Sequence, residues 1–263
     1  LFEFASIKPE SQVNETPANI VDIEQLNVNK LTFRFPGRAR LLKDISLSVK
    51  KGEVIAMLGE SGGGKSSFLQ IIQKFYKPES GTIEVNGIDL DRISTLTWRD
   101  LIGVVPQEVK IFNGNLLYNL TLSDNPNEYQ SAIVFCKQAG FDKYFESFPQ
   151  SYLTILGEEG INISGGQKQV VALARALFRQ PKLLLLDEAT AAMDKNTEAF
   201  VLQLLMNLKQ NTAVILVTHR IQTARKADRI YILDAGEIVA SGTPETLMES
   251  VNFYSESVNE FFV

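Results

Sequence analysis

The chain has 263 residues, 44% of them apolar and 22% charged, enough to bury a sizeable core in one large domain or two small ones. Its net charge of −5 argues against a nucleic-acid partner, which would call for a basic excess or patch, and its single cysteine, Cys136, excludes an internal disulfide and suits a reducing compartment. No apolar run approaches the roughly eighteen residues of a membrane span, and the N-terminus lacks a signal-peptide pattern.

Residues 1–19 open with an apolar tip, Leu1-Phe2-Glu3-Phe4, and turn polar around Pro9 and Pro17, the pattern of the end of an element followed by a linker. Leu31, Phe33 and Phe35 alternate with Thr32 and Arg34, which predicts a strand with one buried face; Ile45, Leu47 and Val49 predict a second. Val54-Ile55-Ala56-Met57-Leu58 is continuously apolar, as a strand buried on both faces should be. Gly59-Glu60-Ser61-Gly62-Gly63-Gly64-Lys65-Ser66 follows and fits G-x-x-x-x-G-K-[ST], a phosphate-binding loop. Behind it Phe68, Leu69, Ile71, Ile72 and Phe75 recur at helical spacing, so the loop joins a central strand to a helix.

Ile83-Glu84-Val85-Asn86-Gly87-Ile88 carries an Asn-Gly hairpin signal, and residues 102–105 form a core strand stopped at Pro106. From about 115 to 179 helical signals dominate. Residues 183–186 and 213–217 predict further buried strands, and 230–233 and 238–240 flank a hairpin turn. Thr243-Pro244 opens the last helix, with Thr as cap and Pro at the first helical position. The expected fold is α/β, with a parallel core sheet, an N-terminal antiparallel β-subdomain and an inserted helical subdomain.

The chemistry needs these residue types. Glycines let the loop backbone close its N–H groups around phosphate oxygens, and the helix behind it aims its positive end at the same anion. Lys65 reaches the β- and γ-phosphates, and the Ser66 hydroxyl holds Mg²⁺. Asp187 and Glu188 are delivered at the carboxyl end of a buried strand, where open α/β sheets place ligands. Asp187 completes the Mg²⁺ shell opposite Ser66, and Glu188 polarises the attacking water. Ser164-Gly165-Gly166-Gln167 satisfies a capping box, so a plain helix start explains the Ser and the Gln. Two adjacent glycines are not needed for capping, and they would let a second anion approach this helix start, which suggests a nucleotide shared between two molecules. His219 is the only histidine and lies just past a core strand, where an imidazole could hydrogen-bond the γ-phosphate.

Taken in order, these residues resemble the nucleotide-binding domain of an ABC transporter. Residues 59–66 match its Walker A loop, Gln107 its Q-loop, Ile163-Ser164-Gly165-Gly166-Gln167 its signature, 184–188 its Walker B strand with the glutamate, Ala192-Met193-Asp194 its D-loop and His219 its switch histidine. The resemblance covers roughly residues 20–250 and its combined motifs are very specific. Phe35, before Pro36, stands where the family usually has a Tyr that stacks on adenine, and Phe keeps the stacking face. Ile163 for Leu and Ser67 for Thr are mild departures; Ala192-Met193 leaves Asp194 in place but alters its neighbours.

The resemblance implies a P-loop NTPase fold and an active ATPase that uses ATP and Mg²⁺. Phosphates would be held by Ser61 and the backbone of Gly62, Gly63, Gly64, Lys65, Ser66 and Ser67, and the metal by Ser66, Gln107 and Asp187. Glu188, His219 and Gln107 would serve hydrolysis, while Ser164, Gly165, Gly166, Gln167 and Asp194 would meet the nucleotide of a second copy in a head-to-tail homodimer. Leu1-Phe2-Glu3 resembles the helix end that links membrane domain to ATPase in fused exporters, and Gly157-Glu158-Glu159-Gly160 resembles the exporter X-loop. The implied organisation is a 1–19 linker from a missing transmembrane domain of the same polypeptide, an ATPase domain over 20–250 and a helical tail over 251–263. It would work at the cytoplasmic face of the cell membrane, closest in flavour to bacterial peptide or bacteriocin exporters. The surface around Gln107 and Ile111-Phe112 would dock a cytoplasmic helix of the membrane domain. The alternatives are an importer ATPase subunit, a soluble ABC-type ATPase, which pairs two ATPase halves in one chain or inserts long coiled coils, and a small-molecule kinase, which gives no reason for the second glycine-rich helix start.

Overall fold

In the computed structural model, continuous apolar runs and alternating runs sort into two different sheets. The structure describes residues 18–158 and 161–261. The linker assigned to 1–19 lies, but for residues 18 and 19, outside the described residues, as do Glu159 and Gly160.

The alternating runs build a four-stranded antiparallel sheet from β1 (Gln25–Phe33), β2 (Leu42–Lys50), β4 (Ser80–Val85) and β5 (Ile88–Asp89), in the order β2-β1-β4-β5. Asn86 and Gly87 turn the β4–β5 hairpin with φ of 52° and 77°, the left-handed pair that a tight hairpin requires. β1 stops at Phe33, so Phe35 lies past the strand, where it packs its ring edge-on against Phe33 and Tyr76 at 5.0 and 5.3 Å.

The continuous runs build a six-stranded sheet: β3 (Val54–Leu58), β6 (Ile102–Val105), β9 (Leu183–Asp187), β10 (Ala213–Thr218) and β11 (Arg229–Asp234) run parallel, and β12 (Glu237–Gly242) pairs antiparallel with β11. The order is β12-β11-β3-β10-β9-β6, which puts β3, β10 and β9 inside and β6 at an edge. All residues of β3, β9 and β10 are buried, because both sheet faces are covered.

Helix α1 (Lys65–Ile72) follows β3 after the loop of residues 59–64 and ends at Ile72, so Phe75 lies beyond it, more than half exposed under the Arg99 guanidinium. Between β6 and β9 come α2 (Leu116–Thr121), α3 (Pro126–Ala139) and α4 (Gly165–Phe178), joined by a two-stranded pair of β7 (Gly114–Asn115) and β8 (Ile155–Leu156). Phe141, Phe145, Phe148 and Tyr152 fill the core of this helical part. Helix α5 (Lys195–Leu208) returns the chain to β10. Thr243 does cap a helix that starts with Pro244, but Pro244–Leu247 is one turn and not the last helix. Asn252 caps a new start, accepting from the N–H groups of Tyr254 and Ser255, and Phe253–Phe261 is the final helix. Among the described residues no helix is long and apolar enough to cross a membrane.

Candidate functional site

β3 ends at Leu58 and the chain turns over its own sheet. A Cβ at Gly59 would lie 2.1 Å from the Leu233 carbonyl oxygen on β11, so only glycine lets the loop pass. Gly64 stands at the helix cap with φ of 95° and makes no side-chain cap bond to the first N–H groups of α1. The helix start therefore offers its donors to an anion. Lys65 is 5% exposed and folds back on the loop, donating to Gly59 O at 2.8 Å and Glu60 O at 2.6 Å. Burial pushes its pKa down, against the upward pull of Glu188, Asp187 and Glu60. These residues open on a cleft of about 180 Å³ lined by Ser61, Gly62, Gly64, Lys65, Ser66, Ser67, Gln107 and Glu188.

Asp187 ends β9 beside Ser66 of this cleft and is 9% exposed. One of its carboxylate oxygens, Oδ1, is buried with no hydrogen-bond partner, and the carboxylate also meets the Ser66 hydroxyl. Burial raises its pKa, the Ser66 bond lowers it, Glu188 raises it and Lys65 lowers it, with a net rise. A buried, unpaired carboxylate oxygen beside a serine hydroxyl fits Mg²⁺, which takes one or two protein oxygens and fills its shell with water and phosphate. Among the described residues no cluster of three His, Cys, Asp or Glu could hold a metal alone, consistent with so sparse a donor set.

Three strand ends then converge. Gln107 follows β6, Glu188 follows β9 and His219 follows β10. Glu188 Oε1 is 3.3 Å from His219 Nδ1, and Gln107 Nε2 donates to Glu188 Oε2 at 3.4 Å. The nitrogen of the Gln107 amide faces Glu188, not the oxygen through which a glutamine would bind metal. Glu188 itself has φ of 49°, left-handed for a residue with a side chain, and its N–H donates to Val217 O at 3.0 Å.

The second helix start differs. Ser164 Oγ accepts from Gln167 N at 3.2 Å and Gln167 Oε1 accepts from Ser164 N at 2.8 Å, a complete capping box. The glycines have a reason that the sequence did not reveal: a Cβ at Gly166 would lie 2.8 Å from Ala192 O, and one at Gly165 would lie 3.1 Å from Ala192 Cβ. The loop after Glu188 is laid directly on this end of α4. Asp194 closes that loop as the cap of α5, accepting from Asn196 N, Thr197 N and Thr197 Oγ1 at 2.9, 3.0 and 2.8 Å, bonds that hold its carboxyl below the usual range. Ser164, Gly166, Gln167 and Asp194 line a cleft of about 420 Å³ that shares no lining residue with the cleft at the start of α1.

Sequence reasoning passed over three residues around this machinery. Arg220, next to His219, donates to Ala191 O at 2.7 Å and Thr190 O at 3.3 Å and pairs with Glu198 at 3.1 Å. Arg175, deep in α4, donates to Asn119 O, Lys110 O and Asn119 Oδ1; burial pushes its pKa down to about 10. Gln169, also on α4, contacts the loop after Glu188. The signal for Gln169 was a polar residue where the helix period calls for an apolar one; for the arginines there was none.

A family model described as ABC transporter matches residues 42–191. "P-glycoprotein 14" of Caenorhabditis elegans is 35% identical over 254 residues, 96% of this chain and 19% of that protein. The "Leukotoxin translocation ATP-binding protein LktB" of Mannheimia glucosida is 38% identical over 223 residues, 84% of this chain and 32% of that protein. The chain thus spans a third or less of the length of these relatives. A solved bacterial Atm1-family ABC exporter with ATP bound superposes with a TM-score of 0.91 at 29% identity, over 100% of this chain and 46% of that one. With the phosphate loop, the paired acids and the capped second helix start in this arrangement, the chain belongs to the ABC transporter family and is a nucleotide-binding domain of it.

Proposed function

We propose that this domain binds ATP with Mg²⁺ and hydrolyses it to power export of a substrate across a membrane. The observation that carries the reading is the convergence on one small cleft of Lys65, Ser66, Gln107 and Glu188, with Asp187 held against Ser66 and His219 against Glu188. Open N–H groups at the start of α1 bind phosphate oxygens, and Lys65 leaves Gly59 O and Glu60 O to reach them. Ser66 and Asp187 hold Mg²⁺, which when bound neutralises charge on the phosphates. Glu188 takes a proton from water as general base, oriented by His219 and Gln107. Phe35 presents its aromatic face to the adenine.

Ser164, Gly165, Gly166, Gln167 and Asp194 face the nucleotide of a second copy in a head-to-tail dimer, since Ser164, Gly166, Gln167 and Asp194 line a cleft of their own copy distinct from that at the start of α1. A transmembrane domain of the same polypeptide docks at the surface that carries Phe112, which is 42% exposed, and the exported cargo is a peptide. The domain works at the cytoplasmic face of that membrane.

The test is light scattering of Glu188→Gln with MgATP and with MgADP. This substitution keeps size and hydrogen bonding but removes the base, so a dimer is expected with ATP and a monomer with ADP. Equal mass in both nucleotides would sink the shared-site reading. Crosslinking from a cysteine at position 111 or 112 to the membrane domain of the full-length protein tests the docking surface.

A further inference from the structure

All the buried residues of α4 are apolar except Gln169, which is 5% exposed. A buried amide is costly unless both its ends are bonded. Gln169 bonds both to one loop: Nε2 donates to Glu188 O at 3.1 Å, and Oε1 accepts from Ala192 N at 3.1 Å. One turn earlier on the same helix face, Gly166 leaves room for Ala192 O. The face formed by Gly165, Gly166 and Gln169 is therefore the bed on which the loop after Glu188 lies.

Glu188 begins that loop with φ of 49°. A residue with a side chain stays in this region only where its surroundings over-determine it. Its N–H is held by Val217 O, and its carbonyl oxygen accepts from Ala191 N at 3.0 Å as well as from Gln169. From the far side Arg220 grips the carbonyls of Thr190 and Ala191, two and three residues downstream. The backbone torsions at 188 decide where the carboxylate sits between Gln107 and His219, so the groups that fix those torsions fix the carboxylate.

We propose that Gln169 is a positioning residue for hydrolysis: it clamps the main chain of Glu188 and Ala192 and so ties the carboxylate to the helix that starts at Ser164. The inference rests on the reading of Glu188 as the general base. Anything that grips the start of α4 then bears on the carboxylate through a single side chain, without a moving hinge between them.

The test is steady-state ATPase kinetics of the full-length protein carrying Gln169→Met, which keeps the length of the side chain and removes both polar ends. The expected result is a kcat lower by ~10- to ~100-fold, the range for a misplaced catalytic group, with KM for ATP within about twofold of the parent. In a Glu188→Gln background, where the carboxylate is already gone, Gln169→Met should change the residual rate by less than about twofold. A kcat that stays within twofold of the parent overturns the proposal. So does an equal loss in both backgrounds, which would mark a purely structural role. If Gln169→Met does not fold, Gln169→Glu keeps the acceptor for Ala192 N and lacks the donor for Glu188 O; it should show the same split, and failure of both to fold overturns the proposal. A parent protein without ATP turnover would overturn the proposed function and this inference with it, whereas an active parent with an indifferent Gln169→Met overturns the inference alone.

Discussion

The two glycine-rich helix starts of this domain have the same anion chemistry and opposite dressing. The start of α1 is capped by Gly64, and among the described residues no side-chain cap bond uses its N–H groups. The start of α4 carries a full capping box, with Ser164 and Gln167 bonded to each other's main chain. Its glycines are pressed against Ala192 of the same chain. One helix start is left hungry for a ligand and the other is largely satisfied without one. On the proposed function, the first supplies the binding and the second adds a grip that is felt only once a nucleotide is already held. The difference shows that a glycine-rich helix start must be judged by what its donors already touch.

The comparison breaks most visibly at Lys65. Lys65→Ala should weaken ATP binding by ~100-fold or more in a calorimetric titration, as loss of a well-placed charge stabiliser does. Saturating MgATP should raise Tm for the parent and not for the variant. Unchanged affinity would mean that the α1 start is not the binding site. Ser164→Asp sharpens the contrast at the other helix. Aspartate caps as well as serine, so stability should hold, while a second negative charge facing phosphate should cut turnover by about tenfold or more. Normal turnover in this variant would leave α4 as a capped helix and nothing else. The smallest effect is expected at Gly166→Ala. The added methyl meets a backbone carbonyl at 2.8 Å, so urea unfolding should show a loss of about 1 kcal/mol despite the better helix propensity of alanine.

Much of this site could be read from sequence because burial on both faces forces continuous apolar runs. Residues 54–58, 183–186 and 213–217 announced three of the four inner strands, and the residues that follow each run sit at the site. Local chemistry also carried the Asn86-Gly87 turn and the Thr243 and Ser164 caps. What failed needed tertiary knowledge. Phe35 and Phe75 keep the spacing of the elements before them, yet lie beyond those elements, held by Tyr76 and Arg99 from elsewhere in the chain. The reason for Gly165 and Gly166 is a loop more than twenty residues downstream, which no local pattern encodes. Gln169 was visible as a polar residue on an apolar face, and only the position of Glu188 gives it meaning.

The strand order also has a consequence for how such a chain is made. Among the described residues β3, which carries the glycine-rich loop, pairs with β10 and β11 and with no strand that precedes β10. A ribosome must therefore add about 155 residues after Leu58 before the first partner of β3 exists. At a synthesis rate of ~5–20 residues per second that is roughly 8–30 s, during which an apolar strand and a glycine-rich loop have no sheet to join. The four-stranded sheet, by contrast, has all its strands by residue 89. The nascent chain should thus acquire its antiparallel part first and its nucleotide affinity only after β10 has been made.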